Sequence, residues 1–371
     1  MMRLPAPATS AGLGHLPRWT FDPITLLTDG ARTGPVFSLR LWRKVVVGYR
    51  PDWNRAILGD LDTFRSKGSL SGLSPYLSAG IVHIDVPTHD PRRATLNPHF
   101  HSRAIEPLRA GLRTVVDAEM PTGAFDALAW SHRVVRRMLN RVFFAGALPD
   151  ELLADFFAPL QRGAPAPLLP RPLLFGRLNT AIARVLADPP ANTLAAALAG
   201  TDHAGEEIRV ALAAGYDTTA HTLAWALWHL AGAPQWRHPD LLAPVLDEVL
   251  RLYPAGWIGS RVCRRDVHVA GVDVAAGSLV MYSPFLTHRD PELWPEPAAF
   301  KPERFAAGKP AWAFIPFSAG RRTCLGAHLA RMMLLTALER CCEEPLMQGE
   351  GDPAVRTSIS LRPAGPLWIT R

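Results

Sequence analysis

From about Glu206 to Leu230 the chain runs without proline, with the single glycine Gly215, in a mostly apolar helical pattern. A helix of that length spans ~37 Å at 1.5 Å per residue, so the rest of the chain has to pack along it. From about residue 51 to 342 the pattern is mainly helical with proline and glycine breaks. A hairpin is predicted over 34–48, where Val36, Phe37, Leu39, Leu41, Val45, Val46 and Val47 give two β-rich runs. Further short strands are predicted at Val267–Val269, Ser278–Met281 and Thr357–Thr370. The stretch Ala164 to Pro172 holds Pro165, Pro167, Pro170 and Pro172 and is predicted to be loop. With no repeat and no linker, residues 1–371 read as one mainly α domain with small β-sheets.

Composition narrows the class. Hydrophobic content of 48% against 20% charged residues is that of a globular chain. No apolar run reaches the ~18 residues that cross a bilayer, and Met1 to Trp19 has no signal-peptide core, so a cytoplasmic chain without membrane anchor is expected. Cys263, Cys324, Cys341 and Cys342 have neither disulfide nor zinc-knuckle spacing. A net charge of +7 raises a nucleic-acid partner. The basic residues cluster in nothing longer than pairs such as Arg92-Arg93 and Arg321-Arg322, with no accompanying motif, and this excludes that reading. Arginine dominance over lysine, with abundant alanine and proline, points to a GC-rich genome.

One cysteine stands apart. Phe317-Ser318-Ala319-Gly320-Arg321-Arg322-Thr323-Cys324-Leu325-Gly326 sets Cys324 on a glycine-flanked turn before a helical run, His328 to Leu338. The positive end of that helix is expected to lower the thiol pKa and suit it to a metal. Gly320 and Gly326 can take positive φ and admit a flat cofactor close to the backbone. Arg322 can reach an acidic edge of the same cofactor. The plain alternative is a buried free cysteine acting as a small hydrophobe.

Three further patterns are legible. Ala214-Gly215-Tyr216-Asp217-Thr218-Thr219 sits inside the long helix, where Gly215 and Thr218 make a local bulge plausible and an acid next to an alcohol suits proton relay. His89 and Arg93, four apart on a helix whose start Pro91 fits, can hold a carboxylate together. Glu248 and Arg251 share a helix face.

The cysteine loop resembles the haem-binding signature Phe-x-x-Gly-x-Arg-x-Cys-x-Gly of the cytochrome P450 family, matching every fixed position. The resemblance covers nearly the full length. It implies the family's triangular, helix-rich fold, haem b as cofactor, and Cys324 as the iron ligand, with Phe317, Arg322 and Gly326 beside it. It places Ala214 and Gly215 next to the haem, with Asp217 and Thr218 as catalytic proton-delivery residues. It makes His89, Arg93, Arg261 and Arg322 propionate partners, and sets Glu248, Arg251 and Arg304 in a buried ionic cluster that braces the ligand loop. The implied activity is a monooxygenase that hydroxylates or otherwise oxidises a hydrophobic small molecule, with secondary metabolism as its setting. Oxidative coupling and a haem-thiolate sensor remain alternatives. The implied electron donor is a ferredoxin with its reductase, docking on Arg92, Arg103, Arg321 and Arg331. Candidate pocket walls are Leu70, Leu73, Tyr76, Leu77, Ala211, Trp257, Ile258 and Ile359. The chain departs from the family at Arg322, where many relatives carry histidine, and at Met333, where a glutamate is common. It is also shorter around 160–200 and 231–240.

Overall fold

A computed structural model describes residues 4–70, 80–162 and 171–371. The predicted hairpin forms as β1 (Val36–Arg40) and β2 (Lys44–Gly48), antiparallel. It extends into a five-stranded sheet in the order β1-β2-β8-β5-β3, with β3 (Phe64–Arg65), β5 (Gly259–Cys263) and β8 (Leu279–Tyr282). Within this sheet β2 and β8 pair in parallel and the other neighbours antiparallel. Between β5 and β8 lies the small hairpin of β6 (Val267–Val269) and β7 (Val272–Val274). A short helix, α1 (Pro51–Gly59), follows β2. A Cβ on Gly48 would lie 2.4 Å from the Trp53 ring, so this turn closes only over glycine.

The helical body contains α2 (His89–Phe100), α3 (Arg109–Glu119), α4 (Ala127–Phe144), α5 (Pro172–Ala187), α6 (Ala204–Gly232), α7 (Leu242–Leu252) and α8 (Ala327–Cys341). Helix α6 is the predicted long helix, two residues longer at each end. It runs without a break, so the bulge expected at Gly215 is not there. Thr218 instead returns its hydroxyl to the Ala214 carbonyl at 2.7 Å, a bond the helix absorbs without opening. Its residues are buried nearly all round, against α4 on one side and α8 on the other. Asp126 caps α4 by accepting from the Leu128 amide. Trp225 of α6 stacks on Tyr253 at 3.9 Å. Burying a large apolar side chain of this kind contributes roughly 1.5–3 kcal/mol.

Pro172, expected in the proline-rich loop, begins α5 at the first helical position, where its missing N–H costs nothing. The rest of that stretch, 163–170, lies outside the described residues. The single C-terminal strand expected over Thr357–Thr370 is divided. Ala364, Gly365 and Pro366 separate β11 (Leu361–Pro363), which pairs with β10 (Val355–Thr357), from β12 (Leu367–Thr370). Strand β12 lies between β4 (Ala124–Asp126) and β9 (Met347–Gly351) in a separate sheet.

Candidate active site

The cysteine loop is pressed against α1 and folded back on itself. Gly320 has φ +69°, and a Cβ there would sit 2.6 Å from the Leu58 carbonyl oxygen. The Thr323 amide and hydroxyl both donate to the Gly320 carbonyl, and the Cys324 amide donates to Phe317 O at 2.8 Å. Gly326, by contrast, has φ −85° and precedes α8 in ordinary backbone. Its contribution is space, since a Cβ there would meet nothing within 4 Å.

That space is part of a cavity of about 670 Å³ between α6 and the cysteine loop. Cys324, Phe317, Arg322, Gly326, His89, Arg93, Arg261, Ala214, Gly215 and Thr218 all line it. The Cys324 sulfur opens into the cavity yet lies deep in the protein. The expected lowering of its pKa does not occur. Burial holds the thiol above its ordinary value, outweighing the Gly326 amide and the Arg93 guanidinium. A thiolate here needs a positive partner in the cavity.

Opposite charge is provided for a different part of the same space. Arg261 is close enough to Arg322 to disfavour the Arg322 charge. Burial and this repulsion bring Arg322 down to about 10. Arg322 donates to Asp85 Oδ1 at 2.8 Å and to the carbonyls of Val82 and Ile84. Arg261 donates to Ser260 O at 2.7 Å and faces the Tyr282 ring. Both retain a buried Nε without a partner. Two close guanidiniums with open donors fit a group bearing carboxylates. Arg93 donates to Asn97 Oδ1 at 2.6 Å. His89 opens α2, buried, with Nδ1 2.8 Å from Asp90 Oδ1. Burial first, and then Arg322 and Arg93, lower it to about 4, so it is neutral at pH 7. A haem, flat, with an iron for Cys324 and propionates for the arginines, fits these residues.

Asp217 does not line the cavity. It is 1% exposed and turns behind the wall, where Ser360 Oγ lies 2.7 Å from its Oδ2. Its neighbours His132, His221, Ser358 and Ser360 were not singled out from sequence. His221, four residues on along α6, was accessible by helical spacing; the others come from distant segments. Of the predicted walls, Leu70, Ala211, Trp257, Ile258 and Ile359 line the cavity, and Leu73, Tyr76 and Leu77 lie outside the described residues. Arg92, expected on a docking surface, points inward and pairs with Glu207 at 2.6 Å. The expected ionic cluster is present. Arg251 holds both Glu248 oxygens at 2.7 and 2.8 Å, and Arg304 adds a third contact at 3.2 Å. Arg251 also donates to the His288 carbonyl, and the His288 ring accepts the Ile315 amide, two residues before Phe317.

Known proteins share this architecture. A retinoic acid-bound cyanobacterial CYP120A1 superposes with TM-score 0.86 and 23% identity, covering 99% of both chains. A six-coordinated cytochrome P450 from Thermus thermophilus gives 0.81 and 23%, covering 94% of this chain and 98% of that one. Cytochrome P450 139 of Mycobacterium tuberculosis is 29% identical over 82% of this chain and 85% of its own length. Cytochrome P450 3A31 of Mesocricetus auratus is 36% identical, and there the match spans 40% of this chain and only 34% of the hamster protein. The sequence model of the family described as Cytochrome P450 matches residues 237–344, which hold the ionic cluster and the cysteine loop. With the fold matched end to end, the loop matched at every fixed position and the cavity furnished for the family's haem b, the chain belongs to the cytochrome P450 family.

Proposed function

We propose that residues 1–371 form one domain acting as a haem-thiolate monooxygenase on a hydrophobic small molecule. The observation that carries this reading is the Cys324 sulfur opening into a cavity that Arg261 and Arg322 also line, each with an unpartnered buried Nε. Bound there, haem supplies the activation of dioxygen and the transfer of one oxygen atom.

The protein's own residues do the rest. Cys324 anchors the iron as thiolate, while Phe317 and Gly326 flank it. Arg261, Arg322 and Arg93 bind the propionates. His89 joins them once its second ring nitrogen is protonated, which the carboxylate charge favours. Ala214 and Gly215 would leave room beside the haem, and Thr218 presents a helix hydroxyl to the cavity. Burial pushes the Asp217 carboxyl up to about 6, so it takes up and releases a proton close to neutrality. Leu70, Ala211, Trp257, Ile258 and Ile359 exclude water and orient an apolar substrate. The retinoic acid in the cyanobacterial neighbour is such a molecule. The proposed electron donor is a ferredoxin with its reductase.

Reduced protein under carbon monoxide should show the red-shifted Soret band of thiolate-ligated haem. Cys324→Ala should lose that band, and Cys263→Ala, Cys341→Ala and Cys342→Ala should keep it. A band that survives in Cys324→Ala ends this reading.

A further inference from the structure

Behind the cavity wall lies a buried polar cluster that packing does not require. The Ser360 hydroxyl, fully buried, lies 2.7 Å from Asp217 Oδ2 and 2.7 Å from His221 Nδ1. His221 Nε2 approaches Asp217 Oδ1 at 3.5 Å. The His132 ring on α4 meets the His221 ring at right angles, centroids 5.0 Å apart. Asp217 Oδ1, His221 Nε2 and His132 Nδ1 are all buried without a hydrogen-bond partner. Leaving such atoms unsatisfied costs roughly 1–3 kcal/mol each, which an apolar residue of similar size would avoid.

The cluster has two ends. On the inner side, Ser358 lines the cavity with its Oγ 3.5 Å from Asp217 Oδ2. Thr218 gives its hydroxyl to the Ala214 carbonyl at 2.7 Å, whereas the Ser358 hydroxyl, shared with the Ser360 carbonyl at 2.9 Å, also contacts the acid. On the outer side, His132 is only partly buried, whereas His221, Ser360 and Asp217 are closed off.

We propose that His132, His221, Ser360, Asp217 and Ser358 form this chain's proton inlet, leading from the surface beside α4 to the cavity. The reading rests on the monooxygenase function above, which consumes protons inside the cavity. One proton enters per passage. His132 takes it from solvent and, on a turn of its ring toward His221, gives one to His221 at Nε2. His221 releases its Nδ1 proton to Ser360, whose own proton moves to Asp217. The Asp217 proton passes to Ser358, which gives its original hydroxyl proton to the cavity. Each group ends with as many protons as it began with, and no electrons move.

Protonation equilibria suit the order. Burial lowers both His132 and His221 to about 3, so each is neutral and carries one N–H and one free lone pair. Asp217, at about 6, exchanges its proton closest to neutrality. The charged and titratable groups facing it are Arg362 from β11, His132 from α4, and Tyr216 and His221 from α6, while Arg136 of α4 faces His132 and Tyr216.

Two variants outside the sealed centre test the inlet in the haem-loaded protein: His132→Phe and Ser358→Ala. Both should keep the thiolate carbon monoxide band. Product formed per reductant should fall in each, by roughly 10²-fold at the low end for a positioned proton donor, with hydrogen peroxide released instead. The second readout needs no turnover. At about pH 5, infrared spectra should show a carboxylic-acid carbonyl band that disappears in Asp217→Asn. On transfer to deuterated water that band should shift rapidly in the parent and at least several-fold more slowly in His132→Phe. Equal exchange rates in parent and His132→Phe, or unchanged coupling in both variants, would overturn the inlet. Loss of the carbon monoxide band in the parent would instead overturn the monooxygenase reading, while band exchange would still decide the proton route.

Discussion

Gly320 shows how much one residue decides in the cysteine loop. Its φ of +69° lies where side chains are disfavoured, and the Leu58 carbonyl leaves no room for a Cβ. Gly320→Ala should therefore destabilise the protein by about 1–3 kcal/mol, measured by denaturant unfolding, and lower haem retention. Gly326 looks equivalent in the sequence and is not. Its backbone is ordinary, and its value is the empty volume beside the sulfur. The Cys324 thiol likewise follows its surroundings more than its neighbours in sequence. A helix start lowers a thiol pKa, but the depth of Cys324 in the protein outweighs that and raises it.

At the scale of elements, α7 and the segment before the cysteine loop are joined through one carboxylate. Glu248 is fully buried and receives Arg251, Arg304 and the Lys301 amide. Removing one partner strands the others. Glu248→Ala should cost on the order of 3–5 kcal/mol and release haem from the protein that still folds, whereas Glu248→Gln should recover part of the loss. Thermal unfolding with haem absorbance checks both. Helix α6 carries the other division of labour. One face presents Ala214, Gly215 and Thr218 to the cavity, and the next turns Asp217 into the polar cluster behind it. Adjacent residues on a helix point about 100° apart, so an acid and an alcohol in sequence are separated by the wall they share.

At the scale of the whole molecule, protonation sets an acid limit. His132, His221, His229 and His288 have folded pKa values of about 3, 3, 4 and 3, all depressed by burial from 6.5. Between those values and 6.5 the unfolded chain binds more protons, so stability falls as pH drops below 6.5. The loss is at most about 1.4 kcal/mol per histidine per pH unit. Asp217 has the opposite sign, raised from 3.8 to about 6, and offsets one of the four. Chemical denaturation at pH 7.5 and pH 5 should show the lower stability at pH 5. The net charge of +7 bears on electron supply. Arg103 and Arg321 are exposed on the cysteine side, and charge reversal at both should slow reduction by a ferredoxin. The parent rate should fall with added salt. Stopped-flow reduction at two ionic strengths checks this, and Arg92, paired inward with Glu207, should not share the effect.

Local chemistry was enough to read the β1–β2 hairpin, the long helix, the cysteine turn with its arginine, and the Glu248–Arg251 pair, because turns, helical spacing and glycine act over a few residues. The cavity, the facing of Arg261 toward Arg322 and the inward turn of Arg92 required the fold, since burial and like-charge proximity are created only when distant segments meet. Asp217 shows both halves. Its place in the helix is evident from sequence. Its partners Ser360 and His132 lie 143 and 85 positions away, and only tertiary packing brings them to it and raises its pKa.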